Sequence, residues 1–160
     1  MDTRKPQARA KAAVSDAMLL LDNQLCFALY SASLTMTKVY KPLLKSLGLT
    51  YPQYLALLVL WERDNITVSE LGERLYLDSG TLTPLLKRLE SVQLLRRERS
   101  AEDERQVQVT LTAAGRALRR QALPVPEQLL CAAQCSLGEV TALTRRLQKL
   151  RGALAEDVAA

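Results

Sequence analysis

The sequence predicts a mostly α-helical protein built around a winged helix-turn-helix, with further helices before and after it. Three observations predict this. Residues 67–112 read as two short helical patterns joined by a tight polar break, Leu77-Asp78-Ser79-Gly80, and followed by a charged hairpin. The return strand alternates, with Val107, Val109 and Leu111 on one face and Gln106, Gln108 and Thr110 on the other. Apolar residues make up 48% of the 160 positions but aromatics only 4%, so the core is built from leucine and alanine. Helix, turn, helix and a two-stranded ribbon is a layout that reads DNA.

Residues 1–15 are basic, no signal-type apolar segment follows them, and they read as a flexible arm. A long helical stretch is expected from Asp16 to about Leu47, with Pro42 bending its last turns and Gly48 ending it. Thr50 and Gln53 form a capping box for a helix through about Arg63 that buries Tyr54, Leu57, Leu58 and Trp61. Thr67 and Glu70 form a second box, starting a helix whose apolar side is Leu71, Leu75 and Leu77. Asp78 and Ser79 are both good N-caps for the next helix, which buries Leu82, Leu85, Leu86 and Leu89 and loses one backbone bond at Pro84.

The hairpin goes out from Leu94 to Arg99 and returns from Gln106 to Thr112. Thr112 caps a helix through Gly115 and Leu118, and Pro124 and Pro126 interrupt or kink it before a segment from Glu127 to Cys135. Ser136 and Glu139 form a third capping box, and the last helix follows. Its apolar positions Val140, Leu143, Leu147, Leu150 and Leu154 are spaced 3, 4, 3 and 4 residues apart, a narrow stripe that calls for a partner helix. A homodimer is the simplest source of that helix, and helix-turn-helix proteins commonly bind two half-sites as dimers. The chain thus divides into the arm (1–15), a helical dimerisation region (16–48 and 113–158) and a winged helix-turn-helix (50–112), in one intertwined domain.

The second helix of the pair carries Ser79, Thr81, Thr83, Lys87 and Arg88 away from its leucines. Small hydroxyls approach base edges and phosphates closely, and the two cations reach phosphate or guanine. Arg96, Arg97, Arg99 and Arg105 make the hairpin basic, but from Ser79 to Arg105 six basic side chains meet five acidic ones. Binding therefore depends on where the arginines point, not on bulk charge. Asp103 and Arg105 lie two apart at the tip, where a carboxylate can hold a guanidinium extended for a narrow minor groove. The same pair also reads as a surface ion pair of small energetic weight. The whole chain has a net charge of +5, a mild lean toward polyanions.

Enzyme chemistry finds little support. The chain has no histidine, the commonest general base and metal ligand. No Gly-rich phosphate loop appears, and neither a cofactor nor a metal site is expected. Three cysteines without a secretory signal argue against a disulfide scaffold and for a cytoplasmic protein. Cys26, among Leu25, Phe27 and Leu29, reads either as a small buried hydrophobe or as a reactive thiol. Nothing within one turn explains a thiolate, and Asp22 opposes one. Phenol donors such as Tyr40 and Tyr51 would favour it. Tyr40 lies fourteen residues further on, roughly 21 Å along a continuous helix, so on such a helix it cannot touch Cys26 of its own chain, although it could across a dimer of antiparallel first helices. Cys131 and Cys135, one turn apart, read either as inert core or surface thiols or as thiols with a redox role.

The segments LYLDSGTLTPLLKRLE and VTLTAAGR and the Asp103-Glu104-Arg105 tip resemble the winged-helix core of the MarR family of bacterial transcription regulators. Joined to LDNQLCFALYSA, Tyr40 and GLTYPQYLALLVLWE, the chain from near Asp16 onward resembles the organic-hydroperoxide-sensing repressors of that family, the OhrR type, in their two-cysteine form. The resemblance implies a homodimeric repressor on double-stranded, pseudo-palindromic operator DNA. It implies that an organic hydroperoxide oxidises Cys26, that Cys131 of the partner subunit resolves it as an intersubunit disulfide, and that DNA is then released. Cys135 is then either a bystander or a substitute for Cys131, and the resemblance implies that Tyr40 and Tyr51 of the partner subunit support the thiolate. Two other readings stay open: a MarR-type regulator released by a non-covalent apolar ligand, and a thiol peroxidase, which would consume peroxide catalytically.

Overall fold

Local capping sets most element boundaries in the computed structural model, which describes residues 16–99, 103 and 105–159. The expected arm at 1–15 and the hairpin residues 100–102 and 104 lie outside the described residues. The chain divides into two compact units, one ending at Val39 and the other beginning at Tyr40.

In the first unit the long helix expected from Asp16 is broken. Leu20 and Gln24 are extended, at φ/ψ of −71/136° and −85/113°, and flank a 3-10 turn at Leu21–Asn23. The cause is local competition for carbonyls. The Asn23 side-chain amide donates to Ala17 O at 2.8 Å, and that of Gln24 donates to Met18 O. Side chains thus occupy acceptors that a continuing helix would use. Helix α1 (Leu25–Leu43) starts only after them. Cys26 is therefore its second residue, not the mid-helix residue the sequence suggested. Within this unit Met18, Leu19, Leu20, Leu21, Leu25 and Tyr30 are all exposed in the single chain.

The second unit carries the remaining elements. α1 ends just after Pro42, earlier than expected, and a 3-10 turn at Lys45–Leu47 follows. Gly48 then reverses the chain at φ 65°, a conformation glycine adopts without steric cost. The Gln53 side chain accepts the Thr50 N–H at 2.8 Å and starts α2 (Tyr51–Glu62). Tyr54 and Leu57 are buried as expected, whereas Leu58 and Trp61 are half-buried; Gln53, Ala56, Val59 and Leu60 are buried as well. This helix is thus enclosed on most sides instead of showing one apolar stripe.

Strand β1 (Ile66–Thr67) leads into α3 (Val68–Leu75). Their junction is a complete capping box: Thr67 N–H donates to Glu70 Oε2 at 2.8 Å, and Glu70 N–H donates to Thr67 Oγ1 at 3.1 Å. The Thr67 backbone N–H, and after it the Thr67 hydroxyl donating to the same Glu70 oxygen at 3.0 Å, hold the Glu70 carboxyl below the usual carboxylate range. Asp78 caps α4 (Ser79–Ser91), accepting the Thr81 N–H at 2.9 Å. Leu82, Leu86 and Leu89 of α4 are fully buried, and Leu85 is half-buried. Strands β2 (Leu95–Arg99) and β3 (Val107–Leu111) pair antiparallel, Leu95 opposite Leu111 and Arg99 opposite Val107. The ribbon has a third member that the sequence did not reveal: β1 pairs with β3, Ile66 opposite Val109, giving the order β1-β3-β2.

The wing's buried side, Val109 and Leu111, closes over a core that includes Leu44, Leu57, Leu60, Leu71 and Leu95. Burying each such side chain is worth about 1.5–3 kcal/mol. The Thr112 hydroxyl accepts the Gly115 N–H at 3.0 Å and caps α5 (Ala113–Ala122). The Trp61 indole N–H donates to Gly115 O at 2.9 Å, tying α2 to α5. After Pro124 come α6 (Val125–Ala133) and α7 (Leu137–Ala159), the latter started by the Ser136–Glu139 box with bonds of 2.8 and 3.3 Å. Of the α7 stripe, Val140 and Leu150 are half-buried, while Leu143, Leu147 and Leu154 are exposed. The Arg151 guanidinium stands 4.3 Å from the centre of the Tyr76 ring, joining α7 to the end of α3 by a cation–π contact. Among the described residues no helix is long and apolar enough to cross a membrane.

Candidate nucleic-acid interface and thiol sites

One helix, α4, carries Ser79, Thr81, Thr83, Lys87 and Arg88. Ser79, Thr81, Lys87 and Arg88 are exposed and Thr83 is half-buried. The threonine hydroxyls already donate internally, Thr81 to Asp78 Oδ2 at 2.8 Å and Thr83 to Ser79 O at 2.7 Å. Toward a ligand they offer oxygen lone pairs and methyl groups. The Asp78 carboxyl is held below its usual range, chiefly by the backbone N–H of Thr81, so it stays ionised as a cap.

At the wing, Asp103 Oδ1 accepts the backbone N–H of Arg105 at 3.0 Å, and Oδ2 accepts the Gln106 amide at 3.2 Å. Gln106 N–H also donates to Asp103 O at 2.9 Å. Asp103 thus shapes the return of the hairpin through the backbone that carries Arg105, whose side chain is exposed.

Two carboxylates that the sequence reading passed over organise the base of the wing. Asp64 Oδ1 accepts Leu111 N–H at 2.8 Å, and its Oδ2 accepts Arg116 at 2.7 Å. Glu90, at the end of α4, accepts both the backbone and the guanidinium of Arg97. Arg97, one of the four arginines that make the hairpin basic, is half-buried and paired with Glu90.

Arg105→Ala is expected to weaken specific DNA binding by about 1–3 kcal/mol. Lys87→Ala and Arg88→Ala are expected to weaken specific and non-specific binding together and to flatten the salt dependence. Titration at several salt concentrations checks both, and an Arg105→Ala protein with unchanged affinity and salt slope removes the wing from the interface.

The thiols are all free and exposed. Cys26 occupies the first turn of α1, where backbone N–H groups lack helical acceptors. In the second unit, the Tyr40 and Tyr51 rings stack with centroids 4.4 Å apart, and Tyr54 and Trp61 extend the cluster at 6.0 and 6.3 Å steps. Burial pushes the Tyr40 phenol up to about 12 and raises that of Tyr51, so both remain O–H donors at neutral pH. Tyr54 is a third phenol that the sequence reading assigned only to the core. Cys131 lies on α6, and Cys135 follows its left-handed cap at Gln134, the Cys135 thiol donating to Ala133 O at 3.3 Å. A largely apolar hollow of about 200 Å³, lined by Tyr54, Leu58, Trp61 and Leu123 among others and also by the charged Glu62 and Arg119, is smaller than usual small-molecule sites.

The family model for the transcriptional regulators SarA/Rot matches residues 38–121. The chain is 58% identical over 110 residues to the organic hydroperoxide resistance transcriptional regulator of Bacillus subtilis (strain 168), covering 69% of this chain and 75% of that protein. AbfR of Staphylococcus epidermidis is similar in structure. Reduced AbfR bound to DNA matches at TM-score 0.67 and 40% identity, covering 85% of this chain and 96% of that one. Disulfide-formed AbfR matches at TM-score 0.59 and 35% identity, covering 93% and 99%. With its winged core and these identities over most of its length, the chain belongs to the MarR and SarA/Rot group of winged-helix proteins, DNA-binding transcriptional regulators and not enzymes.

Proposed function

We propose that this protein is a homodimeric repressor that holds a pseudo-palindromic operator while Cys26 is reduced and releases it when an organic hydroperoxide oxidises that thiol. The observation that carries this reading is the exposed Cys26 on the first turn of α1, in a chain so similar to an organic hydroperoxide resistance regulator. The stacked Tyr40–Tyr51 pair supports it, because two protonated phenols on one chain suit an anionic sulfur presented by another.

The Cys26 thiolate attacks the terminal oxygen of the hydroperoxide. The O–O bond breaks, an alcohol leaves with one proton, and the sulfur becomes a sulfenic acid. The thiolate of Cys131 of the partner subunit then attacks that sulfur, and the hydroxyl leaves as water on taking up a proton. Cellular thiols return both cysteines to the reduced form. Linking the N-terminal helix of one subunit to α6 of the other changes the spacing of the two α4 helices. Half-sites recur at about 34 Å along B-DNA, so a misplaced pair loses its bivalent fit. Oxidation once per signalling event separates this mechanism from a thiol peroxidase.

The test is a gel shift on a duplex selected by the reduced protein from a random pool. Release by an alkyl hydroperoxide and recovery with dithiothreitol are expected; a complex indifferent to the oxidant contradicts the reading. Cys131→Ser is expected to lose the covalent dimer on a non-reducing gel and to carry Cys26 on to sulfinic acid more readily, read by mass spectrometry. A covalent dimer that persists in Cys131→Ser transfers the resolving role to Cys135.

A further inference from the structure

One carboxylate fastens the recognition helix to the wing. Glu90 Oε1 accepts the backbone N–H of Arg97 at 3.0 Å, while Glu90 Oε2 accepts Arg97 Nε at 3.0 Å and a terminal guanidinium nitrogen at 2.6 Å. These bonds fix the path of β2 and the Arg97 rotamer against the last turn of α4 together. Both side chains are partly withdrawn from water, Arg97 at 22% exposure and Glu90 at 36%. The Arg97 side chain holds the Glu90 carboxyl below its usual range, so the pair is ionic at neutral pH. Arg97 lies opposite the fully buried Val109, at the middle of the β2–β3 ladder. A change of tilt there is magnified along the hairpin toward Arg105.

We propose that Glu90 is a positioning residue for DNA recognition: by clamping Arg97 it sets the angle between α4 and the wing, so that the recognition helix and Arg105 meet one duplex in register. The inference rests on the DNA-binding reading above. Charge alone predicts the opposite sign. An acidic group close to phosphates repels them, so removing it would tighten binding to any sequence. The clamp predicts weaker binding, confined to the preferred sequence.

The experiment is a fluorescence titration of Glu90→Gln, Arg105→Ala and the double variant. The probes are a duplex selected by the wild-type protein from a random pool and a scrambled duplex of the same composition. Glu90→Gln is expected to weaken the selected duplex about tenfold and to leave the scrambled duplex within about twofold. In the Arg105→Ala background its effect is expected to fall below about twofold, because the group it positions is gone. Tighter binding to both duplexes, equal loss on both, or an undiminished effect in the Arg105→Ala background overturns the assignment. If Glu90→Gln lowers stability, Arg97→Gln decides, because it leaves the Glu90 carboxylate and its bond from the backbone N–H of residue 97 in place: affinity lost on the selected duplex alone supports the clamp, and unchanged selectivity overturns it. A wild-type protein that does not distinguish the two duplexes overturns the DNA-recognition reading itself, which separates that failure from failure of the clamp.

Discussion

Replacing Leu147 and Leu150 by lysine is expected to give monomers whose operator affinity falls by about a hundredfold or more. The apolar stripe of α7 repeats every third and fourth residue, yet Leu143, Leu147 and Leu154 face solvent in the single chain. A stripe of this kind is stable only against another helix. Each leucine buried by a partner contributes about 1.5–3 kcal/mol, and a lysine there must also desolvate a charge. Loss of the partner turns bivalent binding into two weak independent events, which accounts for the size of the effect. Sedimentation at micromolar concentration and gel shift read the two consequences separately. Because Leu150 is half-buried within its own chain, Leu143→Lys, at a more exposed position, serves as the second variant. Wild-type protein that sediments as a monomer contradicts the dimer.

Gly115→Ala is expected to destabilise the fold by about 3 kcal/mol. A methyl group at Gly115 would overlap the Leu94 carbonyl oxygen, lie 3.0 Å from the Leu94 carbonyl carbon and press the Leu111 side chain at 3.1 Å. These are backbone and core atoms with little room to move. Leu94 O also accepts the Thr112 N–H at 3.1 Å, so yielding there disturbs the wing base and the cap of α5 together. The Gly115 carbonyl in turn holds the Trp61 indole. Urea unfolding followed by tryptophan fluorescence measures the loss at the site of the strain. A change below about 1 kcal/mol would mean that α5 can withdraw from Leu94 at small cost.

What the sequence made legible is what short-range chemistry decides. The boxes at Thr67–Glu70 and Ser136–Glu139, and the Asp78 and Thr112 caps, are bonds between residues three apart, and the structure contains each of them. The alternation from Val107 to Leu111 set the buried side of the wing because strand faces repeat every second residue. The misses are long-range or competitive. β1 is two residues long and exists through Val109, forty-three positions away from Ile66 in the chain. Glu90 and Arg97 meet only once α4 and β2 are docked. The break before Leu25 arises from Asn23 and Gln24 side chains competing for carbonyls, a contest that apolar periodicity does not register. That break matters to the candidate site, since it moves Cys26 from the middle of a helix to its first turn. The redox roles of Cys26 and Cys131 come from resemblance to a family pattern; position alone leaves inert thiols open as well.

The most direct measurement is release of a fluorescent operator duplex from wild-type and Cys26→Ser protein during titration with an alkyl hydroperoxide, with disulfides mapped by mass spectrometry at each step. Wild-type release is expected to follow about one oxidant per disulfide formed and to track a Cys26–Cys131 intersubunit peptide. Cys26→Ser is expected to bind the duplex as tightly as the reduced wild type and to keep it throughout. Release of Cys26→Ser by the hydroperoxide would overturn Cys26 as the sensing thiol.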